Sequence, residues 1–528
     1  MELPMKLGIA GGMMCVMAII FGWVAFPMLL KSQVNAKVLK PGSEMRDIWI
    51  ELPFPIQFKI YLFNITNPAG IENGEKPIVN EIGPYFYDEY KEKVNLVDRE
   101  KDDTVEYNQR ITWHFNPSKS SGLTGDEELI YPHLAILGMM LVTVAEKPTM
   151  VGMAAKAVDS IYKKPNSLFV KVTAKDIMFD GLPIDCTVKD FAGAAVCKLL
   201  KSQSKDFVVV GDDLYKISLF GHKNGTVNSE KTRVIRGSKS PKDVGRLLEW
   251  NNQSALTIWS GEPCNSFNGT DSTIFHSFLY ETEDVVSFFP EVCRSFMAQY
   301  QSPIVVRGIR ANHYTADFGD QSSIPEEKCF CPTPETCLKK GAMDLLKCVG
   351  TPVITTLPHF YLTDPSYLES VSGLHPVQEE HEIFLDFEPL TGSPVRAWKR
   401  LQFNMFVFPI EKFKLMKNFP HALLPLFWVA EGVELNDDFI NQLKSVFMMI
   451  TIVRCIKWIF LLFGLGLTGI AGGFEYKRRQ DEKKSEITTV SQVSTIDNFT
   501  GSTVDVKEWS MNIATLQSGV VPPFIDRN

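Results

Sequence analysis

Two apolar runs near the ends of this 528-residue chain decide what it can fold into. Gly8 to Leu30 contains no charged residue. A helix rising ~1.5 Å per residue carries such a run across the roughly 30 Å hydrocarbon core of a bilayer. The run is longer than a signal-peptide core and no small-residue cleavage site follows at once, so it reads as an uncleaved anchor. The second run, Val446 to Gly473, is interrupted by Arg454 and Lys457. Charges are costly at mid-bilayer, so both are expected at the outer interface beside Trp458, with Trp458 to Phe474 as the uncharged core. Lys477, Arg478, Arg479, Lys483 and Lys484 then form a basic cluster of the kind retained in the cytoplasm. Lys6 precedes the first run and Lys31, Lys37 and Lys40 follow it, so charge alone does not orient that end. The expected division is a cytoplasmic start at 1–7, a first span at 8–30, an external domain at 31–452, a second span at 453–475 and a Ser/Thr-rich cytoplasmic tail at 476–528, expected to be disordered.

The segment between the runs supports that topology. Six of the ten cysteines fall at Cys264, Cys293, Cys329, Cys331, Cys337 and Cys348. Zinc favours paired Cys-x-x-Cys or Cys/His spacings, which are absent, and the single residue between Cys329 and Cys331 makes a poor zinc knuckle. Disulfides are the better reading, and they require an oxidising space outside the cytosol. Glycosylation acceptors at Asn64, Asn224, Asn252 and Asn268 fit the same side and mark expected surface. Asn498 also heads an acceptor triplet, but in the expected cytosolic tail.

Within this segment, alternation of apolar and polar residues predicts strands. Arg110 to Phe115 puts Ile111, Trp113 and Phe115 on one face, and Asp103 to Tyr107 is expected to pair with it across an Asn108-Gln109 turn. Phe169 to Thr173, Phe207 to Val210, Leu214 to Phe220, Ile304 to Ile309, Glu382 to Phe387 and Gln402 to Phe408 read as further strands. Frequent Pro and Gly between them favour an antiparallel sheet or barrel over repeated βαβ units. Leu134 to Ala145 is apolar but too short to span a bilayer. A second helix is expected from Thr149, with Met150, Ala154, Ala157, Val158 and Ile161 on one face. This pair is either packed on the core or a helical cap with an apolar surface for lipid.

Several functions are disfavoured. The formal net charge of −8 argues against nucleic acid as a partner. Gly464-Leu465-Gly466-Leu467-Thr468-Gly469 fits a dinucleotide fingerprint, but it lies inside a membrane span, where that motif lacks its strand and soluble helix. The pairs Gly8/Gly12 and Gly469/Gly473 have the spacing for close helix packing, or simply reflect how common small residues are in membranes. No His-Glu-x-x-His, Gly-x-Ser-x-Gly or Walker motif is present, so neither catalysis nor a cofactor is expected. His359 and His381 read as satisfied structural histidines.

The motifs of the external segment resemble those of the class B scavenger receptor family, which includes fatty-acid translocase. The residues that carry the likeness are Asn80 to Tyr85 with its Gly-Pro-Tyr, Thr356-Leu-Pro-His-Phe360, Glu379-Glu-His381, Leu385-Asp-Phe-Glu-Pro389, Thr391-Gly392, Lys399-Arg-Leu-Gln402 and Pro425-Leu-Phe-Trp428. Within that family the chain resembles the insect sensory neuron membrane proteins of the first type, through Met1 to Pro4, Phe21 to Val24, Phe26-Pro27, Gly122 to Gly125 and the extra pair Cys186 and Cys197. The resemblance implies an α+β external domain with an irregular antiparallel β-barrel core, a helical apex and a hydrophobic tunnel. It implies pairing of Cys264 with Cys329, Cys293 with Cys348 and Cys331 with Cys337. Cys186 and Cys197 depart from the wider family; they form a fourth bridge or stay free, and an oxidising space favours the bridge. In fatty-acid translocase a lysine at the end of an apical helix meets anionic ligands. Lys163 and Lys164 occupy the matching region here, although a solvated helix end, where cations suit the helix dipole, is the favoured account of them. Cys15 and Cys455 are away from the cytosolic boundary, unlike the acylated cysteines of that relative.

In function, the resemblance implies an olfactory co-receptor-like protein of the plasma membrane, with both termini cytoplasmic, in the dendritic cilia of olfactory neurons. It would take a long-chain, lipid-derived pheromone from a soluble carrier protein and pass it toward an odorant receptor complex, with membrane lipids as further partners. The alternatives are a general scavenger receptor or transporter for fatty acids and lipoprotein lipids, and a scaffold of a receptor complex that holds no ligand.

Overall fold

A computed structural model describes residues 3–202, 207–281, 283–333 and 336–497. They fall into two compact units, residues 1–28 with 449–528 and residues 29–448. The second of these is a mixed α+β domain built on an antiparallel sheet.

Thirteen strands make that sheet. In chain order they are β1 (Ile56–Ile65), β2 (Val79–Arg99), β3 (Thr104–Phe115), β4 (Thr232–Ile235), β5 (Leu247–Trp250), β6 (Val285–Phe289), β7 (Arg294–Val306), β8 (Ile309–Ala316), β9 (Ala342–Asp344), β10 (Ile354–Thr356), β11 (Ile383–Glu388), β12 (Ser393–Val407) and β13 (Ala422–Glu434). Their spatial order is β5-β4-β3-β2-β1-β13-β12-β11-β8-β7-β6, with β9 and β10 attached to β12. The path is nearly closed by a short segment. Leu247 N donates to Gly269 O, while Thr270 N donates to Val286 O and Thr270 O accepts from Phe288 N. Residues 269–270 thus bond to both edge strands, β5 and β6, and partly cover their outer backbone groups. Gly269 is required there: a Cβ would lie 1.9 Å from Val286 O.

Two turns differ from the sequence reading. Asn108-Gln109 is no turn, because β3 runs unbroken through it. The buried Asn108 amide instead donates to the carbonyls of Asn228 and Glu230, which keeps the strand extended. The hairpin lies earlier, between β2 and β3. The stretch Ile304 to Ile309 is likewise two strands, β7 and β8, joined at Arg307-Gly308, where both residues take positive φ (50° and 84°). That is the conformation a two-residue hairpin demands.

The helix pair is α2 (Leu134–Glu146), ended by Pro148, and α3 (Val151–Ile161). α2 buries Ile136, Leu137, Met140 and Leu141 in the main core. α3 turns Ala157 and Ile161 toward a satellite core with α4 (Phe191–Ser202), Ile184 and Tyr215. The pair is therefore packed, although Met150 stays exposed.

The other unit contains most of two long apolar helices, α1 (Leu3–Asn35) and α5 (Asp437–Asp497). Their packing uses different glycines from those expected. A Cβ at Gly11 would lie 2.7 Å from Gly464 O, and one at Gly22 2.8 Å from Lys457 Cβ. Gly12, Gly469 and Gly473 meet nothing within 4 Å, and Gly8 only Ala471 at 3.5 Å. Lys457 places its ammonium 4.1 Å from the Trp23 ring centre, and Trp23 packs edge-on against Trp458 at 5.3 Å. This contact with a ring face shelters the charge in an apolar helix. α5 continues past Phe474 to Asp497, where disorder is expected from the sequence. Its Lys, Arg, Glu and Gln are strong helix formers, and Glu475 pairs with Arg478 and Arg479 one turn on. The Asn498 acceptor lies outside the described residues.

Candidate functional site

A strand's side chains alternate between faces. On β2 this places Tyr85, Tyr87, Glu89, Lys91 and Lys93 on the inner face. The register brings Phe58 opposite both Tyr87 and Glu431, Trp113 opposite Glu89, and Lys399 opposite Glu431. The interior divides into two zones.

The first is aromatic. Phe58 meets Trp113 at 5.6 Å and Phe220 at 5.4 Å, and Phe220 meets Phe427 at 6.0 Å. Phe427 stacks on Phe403 at 4.8 Å, and Phe179 joins through Tyr87 at 4.7 Å. Edge-to-face and offset pairs of this kind each add about 0.5–1.5 kcal/mol beyond the area they bury.

The second zone is charged. Lys91 donates to Glu431, whose other oxygen lies 3.0 Å from Lys399 Nζ. Lys399 also reaches Glu291 at 3.4 Å. Glu89 Oε1 accepts the Trp113 indole N–H at 3.1 Å and lies 3.8 Å from Lys91 Nζ, while Glu89 Oε2 has no hydrogen-bond partner. Burial pushes the Glu89 carboxyl up to about 8, against the pull of Lys91. Burial opposes the charge on Glu431 too, but Lys399 and Lys91 hold it down at about 2. Burial also works against the Lys91 ammonium, yet Glu431 and Glu89 keep it above its ordinary value. Beyond this layer Lys93 donates to Trp49 O at 2.8 Å, and Tyr107 donates to Asp271 at 2.8 Å, directly after the segment that closes the sheet.

The outer face of the same strands carries a different site. Trp428 stacks flat on Tyr61 at 3.8 Å and donates its indole N–H to Glu81 at 2.5 Å. His359 Nε2 bonds the same carboxylate at 2.6 Å and its ring stacks on His381 at 4.4 Å. Each histidine accepts a backbone N–H at Nδ1, from His375 and from Val377, both at 2.8 Å. Both are therefore pinned as Nε2–H tautomers and tether the 372–378 loop. Burial, then repulsion from His359, lowers His381 to about 3. A polar cleft of about 350 Å³ opens beside them, lined by Glu81, His375, Glu380 and neighbours.

The residues singled out from sequence are scattered around these sites. The structure joins Cys264 to Cys329, Cys293 to Cys348, Cys331 to Cys337 and Cys186 to Cys197, leaving Cys15 and Cys455 as free thiols. Asn224, Asn252 and Asn268 are exposed, whereas Asn64 is half-buried on β1 with its Oδ1 accepting from Ile130 N. Lys163 and Lys164 sit in a left-handed turn after α3; Lys163 is 84% exposed and its nearest charge is Asp185 at 3.9 Å. They line no apolar cavity that the described residues reveal. Among the described residues no group of three or more His, Cys, Asp or Glu is arranged to hold a metal. The charged inner layer escaped the sequence reading. Its signal was available in β2, where Glu89, Lys91 and Lys93 continue the inward face of Tyr85 and Tyr87.

Comparison with known proteins adds to this geometry. Residues 9–474 match the CD36 family. The chain is 52% identical to "Sensory neuron membrane protein 1" of Apis mellifera, over 99% of both chains. It is 42% identical to the protein of that name from Pediculus humanus subsp. corporis, over 95% of this chain and 97% of the relative. It is 40% identical to the one from Manduca sexta, over 95% and 96%.

Proposed function

The chain belongs to the CD36 family, and on that premise we propose that it captures long-chain, lipid-derived pheromones in the barrel interior and delivers them toward an odorant receptor in the sensory neuron membrane. It is a two-span membrane protein, and its relatives carry the names of membrane proteins rather than enzymes. The olfactory assignment rests on those names. The observation that carries the lipid reading is the aromatic interior linking Phe58, Trp113, Phe220 and Phe427. Each methylene transferred from water to such surroundings contributes about 0.8 kcal/mol, so a long chain binds with few polar contacts. Delivery requires the oxidised domain outside the cell and both termini in the cytosol, as the basic cluster after Phe474 favours. A soluble carrier would load the external domain, and glycans at the exposed acceptors would cover surface away from the interior.

The test is direct binding to the full chain in lipid nanodiscs, with aldehydes, acetates, alcohols and fatty acids of graded length. Saturable affinity that rises with chain length and falls in Val429→Trp, which fills the interior, is the expected result. Preference for free acids would turn the reading to a general fatty-acid receptor. Absence of binding to a folded, oxidised protein would leave a ligand-free scaffold.

A further inference from the structure

The hairpin of β7 and β8 carries an apolar side chain in water at its tip. Arg310, Asn312 and Tyr314 share one face of β8, and Val305 stands opposite Arg310. Asn312 and Tyr314 are buried, whereas Arg310 is exposed and Val305 is 65% exposed. The other face is covered. There Ile304, Val306 and Ile309 pack with Ala311, Val395 and Ile440, joined by Leu443 and Phe447 of α5. Arg307, in the turn, donates to Leu435 O at 2.7 Å and pairs with Asp437. A Cβ on Gly308 would lie 3.4 Å from Lys444 Cε. The tip is thus fixed against residues 435–447, which lead directly into the apolar run that starts at Val446. Lys444 stands two residues before that run, about 3 Å along a helix. The chain leaving the first apolar run is held nearby. Lys37 Nζ donates to Ser393 Oγ at 3.5 Å, and Leu435 N donates to Val395 O at 3.1 Å. Both segments that lead to the apolar runs therefore flank residues 393–395, and the end of the domain that carries the tip is the end facing the bilayer.

We propose that the β7–β8 tip is a third membrane contact beside the two spans: Val305 enters the boundary between head groups and acyl chains of the leaflet the domain faces, while Arg310 and Lys444 donate to phospholipid phosphates. The proposal stands whether or not the interior carries a lipid. Its chemistry follows from the order of side chains toward the apolar run. Asp437 and Asp438 come first, seven and six residues before Lys444 and so roughly 9–10 Å further from the run, where acids meet water. The cations come next, at the depth of the head groups. Among the described residues no carboxylate pairs with Arg310 or Lys444, so both keep their donors for phosphate. Their long apolar stems suit the same layer, with the charged head turned to the polar side. Val305 loses its contact with water there, which is favourable. Arg307 is already engaged with Leu435 and Asp437, and its work is to hold the hairpin at that depth.

The experiment uses the full chain in nanodiscs of palmitoyl-oleoyl phosphatidylcholine. The photoreactive residue p-benzoylphenylalanine replaces Val305 or, as a control, Met297, which is 53% exposed on the same strand roughly 25 Å away. Irradiation should add the mass of one phospholipid at position 305 and none at 297. A measurement on unaltered protein guards against a misfolded variant: a phosphatidylethanolamine with a diazirine on its head group should label the peptide spanning 302–310. Arg310→Gln with Lys444→Gln should lower that label about threefold, the scale of an exposed charge pair. Label unchanged in this double variant would overturn the role given to the two cations. Equal lipid adducts at 305 and 297, or none at 305, would overturn the contact, as would head-group label that reaches residues 440–450 and skips the hairpin. A crosslink from 305 to a second copy of the chain would assign the tip to self-association and overturn it too.

Discussion

Phe427 and Trp428 are neighbours on one strand and belong to different sites. Phe427 faces inward, stacked on Phe403 and meeting Phe220. Trp428 faces outward, stacked on Tyr61 and bonded to Glu81 beside two histidines. The outer face is assembled largely from the motifs that carried the family resemblance: Leu-Pro-His-Phe supplies His359, Glu-Glu-His supplies His381, and Pro-Leu-Phe-Trp supplies Trp428. Its polar groups are partnered, and their work is to tether a loop. The inner face draws residues from strands far apart in sequence, some of them, such as Tyr85, Lys399 and Phe427, from the same motifs, and it holds the unpartnered buried carboxyl oxygen of Glu89.

The largest effect should separate those neighbours. Phe427→Ala and Trp428→Ala each remove a buried aromatic and should lower stability by about 3–5 kcal/mol. Only Phe427→Ala should also weaken lipid affinity, as denaturant melts paired with binding titrations will show. An equal loss of affinity from Trp428→Ala would collapse the distinction between the faces.

Next comes the disulfide of the satellite core. Cys186 and Cys197 close a short loop, 11 residues apart, so Cys186→Ser with Cys197→Ser should cost about 3 kcal/mol on the chain-entropy estimate. Proteolysis should become faster around α4 while lipid affinity holds.

The two faces should also respond to pH in opposite directions. Glu89 has a carboxyl raised from 4.5 to about 8, so the native state holds a proton that the unfolded chain gives up above 4.5. Its stabilising contribution is present below 4.5 and lost as pH rises toward 8. His381 is lowered from 6.5 to about 3, so its contribution is present above 6.5 and lost as pH falls toward 3. Thermal melts across this range should show Glu89→Gln flattening the alkaline decline and His381→Gln the acid one. If the two variants shift the same limb, the separate environments assigned to them are wrong.

The smallest effect is expected at the helix end. Lys163→Ala and Lys164→Ala alter exposed side chains and should change stability by less than about 0.5 kcal/mol. Neutral-lipid affinity should not move. A marked loss would restore these lysines as a ligand contact.

What was legible in the sequence follows from how local each signal is. The two spans, the inward face of Ile111, Trp113 and Phe115, and the helices flanking Pro148 are encoded within short windows. The Asn108-Gln109 turn was misjudged because the partners that keep Asn108 in a strand, the carbonyls of Asn228 and Glu230, lie more than a hundred residues away. The helix after Phe474 is Ser/Thr-rich and has no apolar period, so hydrophobic patterning does not show it, and only its Glu, Lys and Arg propensity and pairing do. The charged inner layer is the extreme case. Glu89, Glu291, Lys399 and Glu431 come from four separate stretches, and only the closed sheet brings them together.

The central claim is that a lipid chain occupies the inner face. Photo-crosslinking of a diazirine-bearing hexadecanal to the full chain in nanodiscs, followed by peptide mass spectrometry, tests it most directly. The account predicts labelling of peptides around Trp113, Phe220 or Phe427, competed away by unlabelled hexadecanal. Competable label confined to the outer cleft around His359 and His381, or to α1 and α5 alone, would contradict it.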